Sequence, residues 1–528
     1  MKNGRWKAIG FLVLALWVVA ATGWGSEAGA PGGAHVLARV EVTGTLGDIG
    51  LPLYADLLDG AGRYYALTIA AQEQLQSAGV SFRVIDEYIP GTRYLIAQKR
   101  RPGTRSRAAR EIRVLYDDGL RIIVRDAPGL ADALAEMGFA LKLMGETPMI
   151  LVPAVPESRA RTPMAFGLTP DPRVSQMIGA VSRDTLLSHI SGLSGENPVI
   201  VESAPYTIAT RYTGSGVPLQ KATQYAFEQL QAMGLTASFQ NWTYASYAGR
   251  NVVGELPGAS LPEEILLITA HLDSMPSTGL APGADDNASG CAALLTVANI
   301  MSRYRFQRTI RFVFFTGEEQ GLLGSAKYAE TQVGQTIVAI LNMDMIAYST
   351  QSAPVQRLHT RGPHNPGYEA DLAIAGTFVD VVNGYGIAGS LQPVITSDGE
   401  SASDHSSFWD KGFAAILVIE DHQNDFNPYY HSNSDKPQYL NPAYLTAHAK
   451  ASLGTVAHLA RPLARMGDLN NDGEVMITDA ILGLKAMAGG TAEGICQNDV
   501  ASCIDVNGDD RIGFAEVIYI LQRVSGMR

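Results

Sequence analysis

Four apolar runs in the middle of the chain each end in acids or imidazoles. EEILLITAHLDS (263 to 274) stops at His271 and Asp273, TIRFVFFTGEE (309 to 319) at Glu318 and Glu319, and TIVAILNMDM (336 to 345) at Asp344; AAILVIED (414 to 421) is a fourth run of the same kind. Between them ASGCAALLTVANIMSRYR and GLLGSAKYAETQ have helical character, so the pattern predicts an α/β domain with a mixed central sheet covered by helices on both faces. The polar residues fall at strand C-terminal ends, where ligands gather in open α/β sheets. Upstream, DPRVSQMIGAVSRDTLLSHISGLSG and PLQKATQYAFEQLQAMGL have the apolar period of surface helices, and TASFQNWTY with RNVVGELPG reads as strand, turn and strand.

Residues 36 to 155 keep a shorter rhythm. Strand-like VSFRVI, EIRVLY and LRIIVR alternate with helix-like LTIAAQEQLQSAG and GLADALAEMG, which predicts one or two small α/β units without a catalytic constellation. The basic run QKRRPGTRSRAAR (98 to 110) reads as an exposed joint, and PAVPESRARTPMAFG (153 to 167), with Arg159 and Arg161, as an exposed, cleavable linker. The expected division is a signal peptide over 1–30, an N-terminal α/β domain over 31–160, the mixed-sheet domain over 168–462 and a small helical module over 463–528.

The signal reading comes from Lys2, Arg5 and Lys7 ahead of the apolar IGFLVLALWVVAA (9 to 21), followed by small residues ending AGA (28 to 30). That apolar core is shorter than the roughly 20 residues a spanning helix needs, so a secreted or cell-surface protein is expected, with no membrane span after cleavage. A formal charge of −12 offers no basic face for nucleic acid or anionic lipid. Of the three cysteines, Cys291 opens an apolar helix as a buried structural thiol, while Cys496 and Cys503 are near enough in sequence to pair in an oxidising compartment.

Candidate chemistry lies in five segments. His271 offers an imidazole to a metal, and Asp273 can brace the loop or receive the ring proton. GADDNASG (283 to 290) puts Asp285, Asp286 and Asn287 just ahead of a helix whose cap needs only one of them. Glu318 and Glu319 are adjacent carboxylates with opposite reach, so one can bind metal while the other takes a proton from water. Asp344 ends an apolar strand, where an unpaired carboxylate is costly and a metal removes the cost. His431, in the polar turn segment PYYHSNSD (428 to 435), is the fifth ligand. Two metal ions about 3.5 to 4 Å apart need a bridging carboxylate and terminal His, Asp or Glu ligands, and these segments supply that set.

On these motifs, residues 170 to 460 resemble the secreted bacterial leucyl aminopeptidases, two-zinc exopeptidases related to glutamate carboxypeptidase and glutaminyl cyclase. The resemblance implies that His271 and Asp344 hold one zinc, Glu319 and His431 the other, and Asp286 bridges them. It makes Glu318 the general base and Asp273 the carboxylate that orients His271, with peptides as substrates. SDHSSFW (403 to 409) matches a further family signature in which Asp404 and His405 are not ligands.

One departure stands out. The nearest members carry a tyrosine and two cysteines before the SDH, whereas this chain reads TSDGESASDH, with Glu400 near the tyrosine's place and Gly399 and Ala402 in place of the cysteines. That tyrosine helps to hold the oxyanion, so the zincs or another donor must do so here. Met345, Ile419 and Phe426 lie near positions that line the family's side-chain pocket, which points to an apolar first residue, core packing being the other reading. The family often carries a propeptide, so residues 31 to 160 are expected to cover the cleft as a prodomain or to remain as a permanent accessory domain. Alternatives on the same fold are C-terminal residue release, glutaminyl cyclisation and non-catalytic binding. The complete five-ligand set disfavours the one-zinc cyclase and, with Glu318, the binding protein; no inserted domain of the carboxypeptidase branch is evident.

The tail repeats one unit. GDLNNDGEVMITDA and IDVNGDDRIGFAEV place oxygen side chains at loop positions 1, 3, 5 and 12: Asp468, Asn470, Asp472 and Asp479, then Asp505, Asn507, Asp509 and Glu516. Glu474 and Arg511 stand at position 7, whose backbone carbonyl is a ligand, and Val475 and Ile512 at the apolar position 8. Gly473 fits the sharp turn of the first loop, and Asp510 in its place predicts a distorted second one. With one apolar helix after each loop, the module resembles a dockerin, an EF-hand-like domain that binds two Ca²⁺. Either it recruits a cell-surface scaffold protein or it serves as a calcium-stabilised cap.

Overall fold

A computed structural model of the protein describes residues 34–100, 112–151, 168–463, 466–470, 474–489, 505–507 and 511–527. The signal segment, the basic joint beyond residue 100, the linker with Arg159 and Arg161, Cys496, Cys503, and loop residues Asp472, Gly473, Asp509 and Asp510 lie outside them.

The N-terminal unit is a stack of two antiparallel four-stranded sheets. Strands β1 (His35–Glu41), β2 (Leu53–Leu58), β3 (Tyr64–Ala71) and β4 (Phe82–Glu87) run in the order β2-β3-β1-β4. Strands β5 (Tyr94–Lys99), β6 (Tyr116–Asp117), β7 (Arg121–Arg125) and β8 (Phe139–Leu143) follow in the order β6-β7-β5-β8. Strand alternation explains the layering. In β5, Tyr94 and Ile96 pack with Leu37, Leu57 and Tyr65 of the first sheet, while Leu95 and Ala97 face the opposite way onto Leu134 and Ala135. Helix α1 (Gln72–Ser77) covers the outer face of the first sheet through Leu75, and helix α2 (Leu130–Glu136) that of the second.

Two boundaries differ from the sequence pattern. The segment LTIAAQEQLQSAG is helical only from Gln72, because Leu67 to Ala71 extend β3 and pair with β1. Among the described residues of EIRVLY, 112–116, only Tyr116 is in a strand. In the first place pairing with β1 outweighed local period; in the second the ladder with β7 begins only at Tyr116, so a local strand pattern found no matching partner ladder over the described residues before it.

The larger unit is built on an eight-stranded mixed sheet. Its innermost strands are β13 (Leu261–His271), β14 (Arg308–Phe315), β15 (Thr336–Met343) and β18 (Ala415–Glu420), the apolar runs of the sequence. Beside a two-stranded ribbon of β9 (Val199–Val201) and β10 (Ala204–Tyr206), the sheet is completed by β11 (Thr236–Tyr244), β12 (Tyr247–Leu256), β16 (Val355–His359) and β17 (Gln392–Thr396). In the order β11-β12-β14-β13-β15-β18-β16-β17, the four inner strands are parallel to their neighbours among themselves, and the outer ones introduce antiparallel pairs. Leu266, Ile268 and Ala270 of β13 face the larger core, while Ile265 and Leu267 face a smaller one with Phe315, Tyr328 and Phe408. Helices α3 (Ala288–Met301) and α4 (Pro442–Ala460) fill the larger core. Burial on both faces is why these strands read as continuous apolar runs. No helix among the described residues is long and apolar enough to cross a membrane.

In the C-terminal module, two further helices, Ile477–Met487 and Phe514–Val524, meet around Leu469, Ala480, Val517 and Ile520.

Candidate metal centre

Each of the five candidate ligands leaves the C-terminal edge of the central sheet or a loop beside it. His271 is the last residue of β13, Asp344 follows β15, and Glu318 and Glu319 follow β14 after Thr316 and Gly317. Asp286 precedes α3, whose cap is Asn287: its Oδ1 accepts the Gly290 N–H at 2.9 Å, and its Nδ2 donates to the Met343 carbonyl at 2.9 Å. This ties the Asp286 turn to the Asp344 strand. His431 comes from the turn segment that the sequence marks as too polar for the core, yet its side chain is buried.

The Asp286 carboxylate divides between two histidines. Its Oδ1 lies 3.2 Å from His271 Nε2, and its Oδ2 lies 3.3 Å from His431 Nε2. His271 Nε2 is also 3.2 Å from Asp344 Oδ1, and His431 Nε2 is 2.6 Å from Glu319 Oε2. His271, Asp286 and Glu319 offer ligand atoms within 4.8 Å of one another, as do His271, Glu318 and Asp344.

Several of these atoms converge without bonding one another. His431 Nε2 has no hydrogen bond of acceptable geometry despite its short distance to Glu319, and Glu319 Oε1 is buried without a partner. Buried polar atoms are rarely left so, and two imidazoles with carboxylates are the donors zinc takes. The residues fit a pair of zinc ions.

The surroundings hold these groups in place. Asp273 Oδ2 accepts from Thr213 Oγ1 at 2.9 Å and from the Glu319 N–H at 3.2 Å; toward His271 Nδ1 its carboxylate stands at 3.7 Å and its carbonyl at 3.2 Å. Thus Asp273 braces the Glu318–Glu319 loop as well as the His271 ring. Ser403 donates to Asp344 Oδ2 at 2.6 Å, and the His405 ring meets the Glu400 carbonyl at 2.7 Å, away from the ligands. Cys291, a buried thiol, donates to the His271 carbonyl at 3.0 Å, and burial pushes its pKa up to about 12.

Electrostatics matches this crowding. Burial drives Glu318 well above the carboxylate range and, with Asp286 adding to it, lifts Glu319 to about 7. Burial opposes charge on His431, but Glu319 and Asp286 outweigh it and raise the ring to about 10. The same opposition places Asp286 below its ordinary value, held there by both histidines.

Some participants carry no clear sequence signal. Asp435, at the end of the His431 segment, accepts the N–H groups of Asp285 and Asp286 at 3.1 and 3.0 Å. Asp285 turns away from the centre to accept from Ala347 N and Asn427 Nδ2, both at 2.9 Å. Met345, Ile419 and Phe426 do come together, joined by Leu417 and Tyr430 in one apolar cluster.

The N-terminal unit closes over this region. The Ala135 carbonyl of α2 accepts from His431 Nδ1 at 2.7 Å, and Asp132 accepts from Tyr212 and Tyr247 at 2.8 and 2.7 Å. Lys142 pairs with Asp410 at 2.9 Å, and the Leu143 N–H donates to the Gly321 carbonyl. Gln98 bonds to Glu400, and the Arg100 guanidinium lies 3.4 Å from both Glu400 oxygens.

In the C-terminal module, the acid at position 12 of each loop gathers backbone N–H groups. Asp479 accepts from Leu469 and Met476 at 2.9 and 2.7 Å, and Glu516 from Val506 and Gly513 at 3.2 and 2.7 Å. Asp468, Asp479 and Glu516 are buried.

Comparison with known proteins places residues 251–456 in the sequence pattern of peptidase family M28. A curated relative, leucine aminopeptidase 1 of the fungus Arthroderma gypseum, is 30% identical over 319 residues, spanning 54% of this chain and 77% of the relative. Among solved structures, the Legionella pneumophila LapA aminopeptidase superposes with a TM-score of 0.52 at 16% identity, over 70% of this chain and 99% of that one. LapB from the same organism gives 0.50 at 16% identity, again over 70% and 99%.

Proposed function

Since the chain belongs to peptidase family M28, we propose that it is a zinc aminopeptidase that removes the first residue of peptides. The observation that carries this reading is the Asp286 carboxylate, with one oxygen toward His271 and the other toward His431. His271 and Asp344 would hold one zinc, Glu319 and His431 the other, and Asp286 both. Bound zinc supplies Lewis-acid polarisation of the peptide carbonyl and lowers the pKa of water. Glu318 takes the proton of the attacking water and hands it to the leaving amine, while Asp273 fixes the loop that carries Glu318. The cluster of Met345, Leu417, Ile419, Phe426 and Tyr430 supports an apolar first residue.

The remaining parts of the reading concern the ends of the chain. The signal-like first 30 residues support secretion, which detection of the protein in culture medium tests. The loops closing on Asp479 and Glu516 support two Ca²⁺ sites through Asp468, Asn470, Asp472, Glu474, Asp505, Asn507, Asp509 and Arg511. Exposed Ile477, Ile481, Leu484, Phe514 and Ile518 support a dockerin-like role with a protein partner.

The test is hydrolysis of an aminoacyl p-nitroanilide by the zinc-loaded protein and its Glu318→Gln variant. The variant should keep two zincs and its fold while turnover falls by at least the roughly 10² to 10⁴ typical of one acid–base group. Normal turnover with two zincs bound would remove Glu318 from its role.

A further inference from the structure

The two candidate zinc sites are braced from different parts of the chain. At His271 and Asp344 the braces belong to the larger unit: Asp273 stands behind the His271 ring, Cys291 holds the His271 carbonyl, and Ser403 donates to Asp344. At Glu319 and His431 the N-terminal unit takes part. Among the described residues, His431 Nδ1 has one hydrogen-bond partner, the Ala135 carbonyl at 2.7 Å. A carbonyl only accepts, so Nδ1 carries the proton and the neutral ring turns the lone pair of Nε2 toward Glu319 and Asp286. The segment does not hold this ring unaided. His431 lies in a turn with its backbone in the left-handed region, φ 53°, which a residue other than glycine keeps only where its surroundings impose it. Tyr430 stacks on the ring at 3.6 Å between centres, which fixes its plane but not its tautomer.

The Ala135 carbonyl is well placed for the task. It belongs to the last turn of α2, where carbonyls lack a partner within the helix, and it also accepts the Gly138 N–H at 2.8 Å, which leaves a second lone pair for His431. Side chains on both sides of Ala135 anchor α2 to the larger unit. Asp132 accepts from Tyr212 and Tyr247 and, at 3.2 Å, from Gln320; Glu136 accepts from Ser277. Met275 of the larger unit is buried in the apolar cluster of Leu134, Ala135 and Phe139. Gln320 and Gly321 directly follow Glu319, and the Leu143 N–H bonds the Gly321 carbonyl at 3.1 Å. The unit thus grips the loop of one ligand and the ring of the other, in addition to the hold of Asp273 on the Glu319 N–H.

Resting on the two-zinc aminopeptidase reading above, we propose that the N-terminal unit is a permanent positioning element for one zinc of the pair. The Ala135 carbonyl sets the tautomer and orientation of His431, and Asp132 fixes α2 against the loop that carries Glu319. The zinc of His271 and Asp344 does without this support. An acceptor on the far nitrogen of a ligating histidine orients it, and losing such a partner costs about 10- to 100-fold in metal affinity. A propeptide that departed would take the acceptor with it, so the unit stays with the mature enzyme.

The test is calorimetric titration of zinc into the metal-stripped full chain in excess calcium, with thermal midpoint and hydrolysis of an aminoacyl p-nitroanilide recorded alongside. Wild type is compared with Asp132→Ala, Asp132→Asn, His431→Ala, the Asp132→Ala/His431→Ala double variant and Asp56→Ala. Asp56 ties the same two units together elsewhere, through His364 and Asn365 at 2.6 and 3.1 Å, and touches no candidate ligand. Asp132→Ala should weaken one zinc by about 10-fold or more and leave the other unchanged. Asp132→Asn, which keeps an acceptor, should recover part of that loss, while Asp56→Ala should lower the thermal midpoint with both zinc affinities intact. His431→Ala should lose the same zinc, so adding Asp132→Ala to it should not alter the one that remains. The imidazole nitrogen resonances of His431, assigned against His431→Ala, should show a protonated Nδ1 in wild type and a mixed tautomer in Asp132→Ala. Zinc affinities that Asp132→Ala leaves alone or lowers equally overturn the proposal, as does a selective loss that Asp56→Ala reproduces. If Asp132→Ala does not fold, Tyr247→Phe, which removes one donor to Asp132, carries the comparison with a smaller shift in the same sense. A wild type that binds two zincs yet leaves the substrate intact overturns the aminopeptidase reading and not the positioning role; fewer than two zincs overturns both.

Discussion

Replacing His448 by Leu should flatten the acid side of the protein's stability profile. His448 lies within α4, fully buried, with neither ring nitrogen hydrogen-bonded and its ring edge-on to Tyr444 at 4.4 Å. Burial alone pushes its pKa down to about 3 from an ordinary 6.5. Inside the fold the ring therefore stays neutral where the unfolded chain would protonate it. A histidine depressed in this way leaves stability intact above pH 6.5 and erodes it as pH falls from 6.5 toward about 3. At 1.36 kcal/mol per pH unit, the loss is about 1 kcal/mol at pH 5.5 and about 3 kcal/mol at pH 4.5. Chemical denaturation of wild type and His448→Leu, in excess zinc at pH 7.5, 5.5 and 4.5, isolates this contribution, since every other titrating group is common to both. The difference between the two should shift toward the variant by those amounts. At pH 7.5 the variant should lie within about 2 kcal/mol of wild type, because removing an unpaired buried polar ring offsets the packing change. A gap that stays constant across pH would show that His448 finds a partner or reaches water, and would refute the reasoning.

Asp286→Ala should reduce bound zinc from two ions to one or none by metal analysis; chelation should then lower the thermal midpoint of wild type but hardly that of the variant, because this carboxylate faces both histidines. Two retained zincs would remove its bridging role. Calcium added to the chelated full chain should bind at two sites by calorimetry and slow protease cutting after residue 463, since the C-terminal module has only the small core around Leu469 and Val517. No calcium uptake would leave the module a plain helical cap.

The fold of the larger unit and the ligand set were legible for one reason. Strands buried on both faces leave long apolar runs, and the groups at their ends, His271, Glu318, Glu319 and Asp344, have nowhere to be but the sheet's C-terminal edge. His431 was legible only by its segment; its burial depends on the Ala135 carbonyl, and a backbone contact across 296 positions writes nothing into either local pattern. Arg100 was hidden in the same way. It belongs to a basic run whose other members suggest a solvated loop, and only the pairing of β5 with β7 and β8 delivers it to Glu400. In the N-terminal unit pairing, which is non-local, makes a strand of Leu67 to Ala71 where the local pattern is helical and limits β6 to Tyr116–Asp117 where the local pattern is a longer strand.

The centre also explains why this edge of the sheet has such a dense set of acids. Asp285, Asp286, Glu318, Glu319, Asp344, Glu420 and Asp435 are all buried, with His271, His431, Arg100 and Arg211 as nearby cations or potential cations. Burying so many carboxylates in a low dielectric is costly unless charge is neutralised. The structure uses two devices. Away from the ligands, Glu420 and Asp435 are driven well above the carboxylate range by burial and by the nearby Asp285, so a proton neutralises them. At the ligands, Asp286 is held below its ordinary value by the two imidazoles that converge on it, which keeps it ionised and ready for a cation. Protons thus settle the outer acids, while at the centre Asp286 stays ionised between two imidazoles, where divalent ions would take the place of the protons. Metal occupancy and folding of this edge are then one equilibrium, in which zinc bound by the folded chain adds directly to its stability.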